Sequence, residues 1–521
     1  MKKILLAVCF FLTCAFTLSG ENYKIKKAEI TTSGKFKLTT TRPHAVEIQH
    51  PVDSNSVFSK EELQSYLEYY KQQLNNTRLF EEVTVTYETL LSDVAEESEN
   101  QIQYVIVKVD LKDSNHFLAV PYPKFKSDKE KTEIKLKLKA KDDNFLGTMN
   151  PLATEINIDV TKDNDIWKFK PGFNISYDFP FSLGPFNITW INDYSINAYL
   201  GKLYPEWNAK TGLKFELPYK RFSLVLEGYH NFINNYDYED FNDTMYSKEQ
   251  FILSTPFKIF EFENYTYLIY QPSVDYSFIW DNDGIHIENT ELSGPIITLS
   301  HSLSNSKINW TDNYREGYSI SITNSWAYNF QRNDWNPSVA LEAKLFSVFP
   351  IEERDYLNKL GITADLYAFT YFDLPGQFFD HNMDGYGDKI GKRLRGIPDD
   401  SYLGNGKPKY TTSTAVVLNL DFPINLFETS FKKDIINFSM QLSPFIDAAI
   451  FRDRKLPLQT DSKICSGMEV LVYPKKWSSF IIRGSIGFDI KTAVATATDI
   501  KGLLKDFWAN KEISIGLGLH Y

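Results

Sequence analysis

The chain has 521 residues, with 56 Lys and Arg against 67 Asp and Glu, giving a formal net charge of −11. That balance excludes the basic face that nucleic-acid binding needs, and three cysteines are too few for a disulfide scaffold. Hydrophobic residues at 43% and charged residues at 24% exclude a disordered chain and a bundle of membrane helices, while aromatics are high at 15%.

Residues 1–20 carry a charged start, Lys2-Lys3, an apolar run from Ile4 to Phe16, and small residues at Thr17-Leu18-Ser19-Gly20. This pattern predicts a secretory signal peptide, too short to span a bilayer as a helix. Lipid attachment at Cys14 is the alternative, and Phe11-Leu12-Thr13 fits it poorly. Cleavage near Gly20 would remove two lysines and two cysteines, leaving Cys465 as the mature thiol. No later stretch approaches the ~20 apolar residues of a spanning helix. The mature chain is then exported and soluble, or crosses a membrane as strands.

Residues 21–113 predict a small α+β module. Asn22 to Thr32 is a strand. A helix follows, opened by a capping box at Ser59 and Glu62, with Phe58 and Leu63 placed as a hydrophobic staple. Leu63, Tyr66, Leu67, Tyr70 and Leu74 recur at helical spacing, and Asn75-Asn76 ends the run. Val83, Val85 and Tyr87 alternate in a second strand. Asp93 to Glu99 is an acidic loop. Gln103 to Leu111 is a third strand, with Val105, Val107, Val109 and Leu111 on one face. The helix followed by the Leu79-Phe80-Glu81-Glu82-Val83-Thr84-Val85 segment resembles a polypeptide-transport-associated (POTRA) domain. That resemblance implies a periplasmic module that binds extended polypeptide by strand addition.

The rest of the chain, residues 114–521, is expected to be an all-β transmembrane barrel. From about Thr132 apolar and polar residues alternate in long runs: Ile134, Leu136 and Leu138 against Lys135, Lys137 and Lys139, then Trp167 to Phe179 for thirteen residues. Runs of that length with aromatic ends suit strands that cross a bilayer. At an assumed spacing of about 24 residues per strand and loop, about 16 antiparallel strands fit, an even number as single-chain barrels require. The last strand, Ile513 to Tyr521, ends on an aromatic.

One connection, Phe372 to Thr411, is too long for a hairpin. It holds Leu394-Arg395-Gly396-Ile397 and is followed by Asp421-Phe422-Pro423 and by Phe445-Ile446-Asp447. With Asn144-Phe145-Leu146-Gly147-Thr148 near the barrel start, these motifs resemble the BamA/TamA superfamily of outer-membrane insertases and two-partner-secretion transporters. The resemblance implies that the loop folds back into the lumen, with Arg395 as its tip and Asp447 as its partner. Asp421 is the nearest acidic candidate on the strand after the loop. Leu394 and Ile397 depart from the family's usual flanking residues, and a single POTRA-like domain precedes the barrel.

Two further expectations come from spacing. Asp380, Asn382, Asp384 and Asp388 stand at calcium-loop positions, with Gly385 at the sharp turn. Gly391 replaces the bidentate Glu, so an ordinary acidic turn is the plainer reading and calcium is the one cofactor considered. The other is a lateral seam. Ile134, Leu136 and Leu138 would pair with the last strand, whose Gly516 and Gly518 weaken it before Tyr521, so that a client strand could add to a freed edge.

No hydrolase, phosphate-loop or zinc-protease motif occurs, and His286-Ile287-Glu288 is a lone pair, so no enzyme is expected. The expected function is insertion or translocation of other proteins at the cell outer membrane, with the N-terminal domain in the periplasm. The expected partners are the lipid bilayer, unfolded outer-membrane or secreted polypeptides, and periplasmic chaperones or accessory proteins, with no nucleic acid. The alternative is a passive pore or a surface adhesin on the same barrel.

Overall fold

The computed structural model describes residues 22–35, 39–90, 102–127, 131–163, 166–198, 203–235, 244–262, 265–281, 284–285, 295–331, 333–351, 359–372, 388–397, 402–403, 407–408, 411–431, 437–452, 460–491, 494 and 511–519. The chain divides into two compact units, Met1–Asp113 and Ser114–Tyr521.

In the first unit, strands β1 (Asn22–Ser33), β2 (Val57–Phe58), β3 (Phe80–Thr89) and β4 (Ile102–Asp113) form one sheet in the order β2-β1-β4-β3. The central pair β1–β4 is parallel and both edges are antiparallel. Helix α2 (Lys60–Asn76) carries the capping box in full: Glu62 N–H donates to Ser59 Oγ, and Ser59 N–H donates to Glu62 Oε2 at 2.8 Å. Its apolar stripe of Leu63, Tyr66, Leu67, Tyr70 and Leu74 is buried, as are Val105, Val107 and Val109 on β4. Two elements escape the sequence reading. One is a helix, α1 (Pro43–Gln49), begun by a proline at its first turn, and the other is the two-residue β2. Both are too short to show periodicity. Asp113 closes this unit, accepting from Thr41 N–H at 2.7 Å and from its hydroxyl at 2.8 Å.

The second unit is a closed antiparallel barrel. Its wall runs β5 (Phe117–Ser127), β6 (Lys131–Asp142), β7 (Leu152–Asp163), β8 (Ile166–Leu183), β9 (Phe186–Asn197), β10 (Glu206–Tyr219) and β11 (Phe222–Asn234). Next come β12 (Met245–Ser254, continued by Phe257–Phe262), β13 (Thr266–Asp281), β14 (Ile296–Thr311), β15 (Tyr314–Asn329), β16 (Asp334–Pro350) and β17 (Lys359–Tyr371). The wall ends with β18 (Thr414–Asp421, continued by Ile424–Glu428), β19 (Phe438–Arg452), β20 (Thr460–Pro474), β21 (Ile482–Asp489) and β22 (Lys511–Leu517). That makes 18 wall strands among the described residues, against the expected 16. The assumed spacing was too wide, because two-residue connections such as Gly184–Pro185 and Asp312–Asn313 join long strands directly. The strand Phe117–Ser127 was also missed, since Pro121 and Pro123 interrupt its alternation.

Side chains alternate across this wall as a pleated strand requires. Phe173, Phe179, Trp190, Ile196, Leu213, Leu226 and Phe251 face outward and are between 37% and 51% exposed. An apolar outer face of this extent is what hydrocarbon demands, and closure gives every wall strand a neighbour on each side. No helix among the described residues is long and apolar enough to cross a membrane, a test that has no bearing on strands.

Candidate functional site

The segment between β17 and β18 returns to the barrel interior. Ile390–Arg393 makes one 3-10 turn, and Leu394, Arg395, Gly396 and Ile397 after it are all buried. Ile390, Leu394 and Ile397 pack with Phe369, Ala415, Val417, Ala449, Phe451 and Cys465 in a continuous apolar cluster. Burying these three aliphatic side chains anchors the loop at roughly 1.5–3 kcal/mol each.

Arg395 is 3% exposed and sits among carboxylates. Its Nε donates to Asp447 Oδ2 at 3.0 Å and its Nη2 donates to Asp447 Oδ1 at 2.6 Å, a two-pronged pair on a carboxylate that is 0% exposed. The backbone N–H of Arg395 adds a third bond to the same Oδ2 at 2.8 Å. Nη1 donates to Asp421 Oδ1 at 2.5 Å and lies 3.5 Å from Glu469 Oε1. The guanidinium carbon stacks 3.7 Å over the Phe445 ring. Planar, forked and permanently charged, arginine fits such a site where lysine would not.

Gly396 lets the tip approach the wall. Its φ is +94°, and a Cβ there would lie 2.5 Å from the backbone nitrogen of Phe488. Opposite it stands Gly487, whose own Cβ would meet Gly396 N at 2.8 Å. Two glycines face each other because backbone touches backbone. Asn419 Nδ2 donates to the Arg393 carbonyl at 2.7 Å, and Arg393 stacks 3.6 Å over Tyr367. The loop thus touches strands β17 to β21.

Contact also reaches the last strand. Gly396 N–H points at Glu512 Oε2, 3.4 Å away, and Lys124 Nζ pairs with Glu512 Oε1 at 3.0 Å. Glu512 lies on β22 and Lys124 on β5, so one carboxylate joins the loop tip to the closing pair of strands. Sequence reasoning missed Glu512, Glu469 and Lys124. Strand parity could have found the first two: Glu512 shares a face with Ser514, and Glu469 with Cys465.

The closing pair differs from expectation. The last strand registers with β5, from Lys511 opposite Ser127 to Ser514 opposite Lys124. Ile134, Leu136 and Leu138 stand one strand further along, opposite Phe125, Pro123 and Pro121. The prolines concealed the true first strand. Register across the closure covers four residue pairs, against seven between β21 and β22. Pro121 and Pro123 have the same parity, so both ring nitrogens face one neighbour and neither can donate. The register with β6 runs unbroken past both, while that with β22 stops at Lys124. The missing donors therefore face β22. Gly516 is buried on the inner side and Gly518, with φ +85°, lies just past the strand's end. Tyr521 lies outside the described residues.

Of the calcium positions, Asp380, Asn382 and Asp384 lie outside the described residues. Asp388 is described in its backbone alone, pairing with Thr412 in a two-stranded ribbon. Among the described residues no cluster of His, Cys, Asp and Glu is spaced to hold a metal. Asn144 to Thr148 forms the β6–β7 connection: Asn144 is 0% exposed and its Oδ1 accepts from Met149 N–H at 2.8 Å.

The molecule is thus a closed β-barrel whose interior is occupied by its own loop. Among solved structures it is similar to CdiB from Escherichia coli, at 10% identity and a TM-score of 0.45, over 95% of this chain and 76% of that one. It is similar to CdiB from Acinetobacter baumannii at 9% identity and a TM-score of 0.43, over 96% and 74%. BamA from Haemophilus ducreyi lacking POTRA domains 1–3 gives 12% identity and a TM-score of 0.34, over 95% and 85%. No family model and no curated protein matches the chain. The chain's role rests on its own geometry.

Proposed function

We propose that this chain is an outer-membrane barrel of the BamA/TamA superfamily that inserts or translocates other polypeptides. Its N-terminal domain works in the periplasm as a POTRA-like module after removal of a signal peptide. The observation that carries this reading is the closure. Four residue pairs and a proline-blocked lower half hold β5 to β22, so this is the easiest place for the wall to part. A client strand meeting the freed edge gains main-chain hydrogen bonds as it adds. No nucleotide is needed, because folding of the client supplies the free energy. Unfolded outer-membrane or secreted polypeptides are the clients, delivered with periplasmic chaperones or accessory proteins.

The test is a lock. Lys124→Cys with Ser514→Cys places a disulfide across registered positions. The oxidised protein in proteoliposomes is expected to lose client assembly and to recover it on reduction. Full activity of the oxidised barrel would remove the lateral opening.

One observation favours the passive-pore reading. Ser300, Ser302 and Ser304 of β14 face Ser325, Thr323 and Ser321 of β15, a hydroxyl-lined strip inside the barrel. Large stable conductance steps in a planar bilayer would favour that reading over the insertase.

A further inference from the structure

The outer wall carries a polar row where an apolar belt is expected. Strand registers align Asn192, Thr211, His230 and Glu249 side by side across β9, β10, β11 and β12. His230 Nδ1 bonds Glu249 Oε1 at 2.7 Å, and Trp280 Nε1 donates to the same oxygen at 3.0 Å. Trp190 Nε1 donates to Thr211 Oγ1 at 3.0 Å, and Thr211 donates on to Asn192 Oδ1 at 3.1 Å. His230 stands nearer the loop end of β11 than the turn end, with Phe232 beyond it. An ionisable pair on a lipid-facing wall is costly and points to a partner.

One step toward the turn end, the same face has a gap. Gly228 lies between Leu213 and Phe251 in register, with Leu226 below it. These residues, with Trp190, Phe181 and His230, line an apolar groove of about 710 Å³. A slot with an apolar length and a polar end matches an amphiphile with its acyl chain down and its headgroup on the row.

The row also selects the headgroup. Glu249 Oε1 takes the bonds from His230 and Trp280, and Oε2 of the same carboxylate remains as a further acceptor at the end of the slot. A carboxylate there repels a phosphate and accepts from hydroxyls. Trp190 and Trp280, 48% and 38% exposed, offer flat apolar faces on which a sugar ring can rest. We propose that this groove binds a lipid with a hydroxylated, sugar-like headgroup. The proposal rests on the outer-membrane reading above.

Native mass spectrometry of the full chain, exchanged into dodecyl maltoside or dodecylphosphocholine, tests it with one alkyl chain and two headgroups. The wild type is expected to retain one maltoside in preference to the phosphocholine. Glu249→Gln, which swaps an acceptor for a donor, is expected to weaken retention about tenfold. Gly228→Leu, which fills the groove, is expected to abolish it. Equal retention of the two detergents, unchanged retention in Glu249→Gln, or a dimer that holds no maltoside overturns the proposal. A wild type with no heat-modifiable barrel in either detergent overturns the outer-membrane reading as well. A heat-modifiable wild type with equal retention overturns the lipid site alone.

Discussion

Two stretches of the same wall obey one alternation and end in different interiors. On β19 the inward positions are buried one after another, from Ser439 and Gln441 through Phe445, Asp447 and Ala449 to Phe451. On β15 the inward positions Ser319, Ser321, Thr323 and Ser325 are only half-buried. From Phe445 to Phe451 the first stretch packs against the inserted loop and has become a protein core. The second keeps small hydroxyls, which hydrogen-bond water or one another, as Ser300 and Ser325 do at 2.9 Å. A barrel strand therefore has two solvents, and the inner one is set locally by what fills the lumen.

The largest break in that contrast is Arg395→Ala. It leaves Asp447, Asp421 and Glu469 buried without their shared cation, and a cost of about 3–5 kcal/mol is expected. The measurement is the temperature at which heat-modifiable gel migration is lost, which should fall steeply. Gly396→Ala is next. The residue must hold a left-handed conformation against the Phe488 backbone, at an expected cost of about 1–3 kcal/mol. Its melting temperature should lie between those of wild type and Arg395→Ala.

Mild acid reaches the other unit. Burial holds the His50 imidazole below its ordinary range. Its contribution is complete above the unfolded value of about 6.5 and declines as pH falls through it, because the unfolded chain takes up the proton first. The protection of α2 amides against hydrogen exchange in the full chain, taken relative to the intrinsic exchange rate at each pH, should fall between pH 7 and pH 5.5, and His50→Gln should flatten that change. The smallest effect is expected from Ser321→Val on the open wall, within about 0.5 kcal/mol. A large loss there would mean that the hydroxyl strip is packed, and the contrast would fail.

Much of this was legible in the residues. The capping box at Ser59 and Glu62 and the stripe from Leu63 to Leu74 are local signals, and α2 forms from them. The alternation from Trp167 to Phe179 is also local, and β8 contains it. The loop motif named Arg395 and Asp447, and the structure brings them together at 2.6 Å. What stayed hidden is non-local. Pro121 and Pro123 look like strand breakers unless the neighbour they face is known, and that neighbour is the far end of the chain. Glu512 and Lys124 are ordinary charges until closure sets them 3.0 Å apart. The outer row of Asn192, Thr211, His230 and Glu249 exists only through the register of four strands.

The short closure also bears on the order of assembly. Lys124 and Ser514 are opposite each other, yet 390 positions separate them along the chain. Bringing such distant points together costs roughly 5 kcal/mol in chain entropy, plus a constant term. Neighbouring hairpins, joined by a few residues, avoid nearly all of it. The wall should therefore grow hairpin by hairpin as a curved open sheet and join its ends last. By then β19 to β22 are in place to receive Arg395 and Gly396, and Glu512 can grip the tip and Lys124 in one event. The loop that fills the finished barrel would serve first as the clasp that completes it.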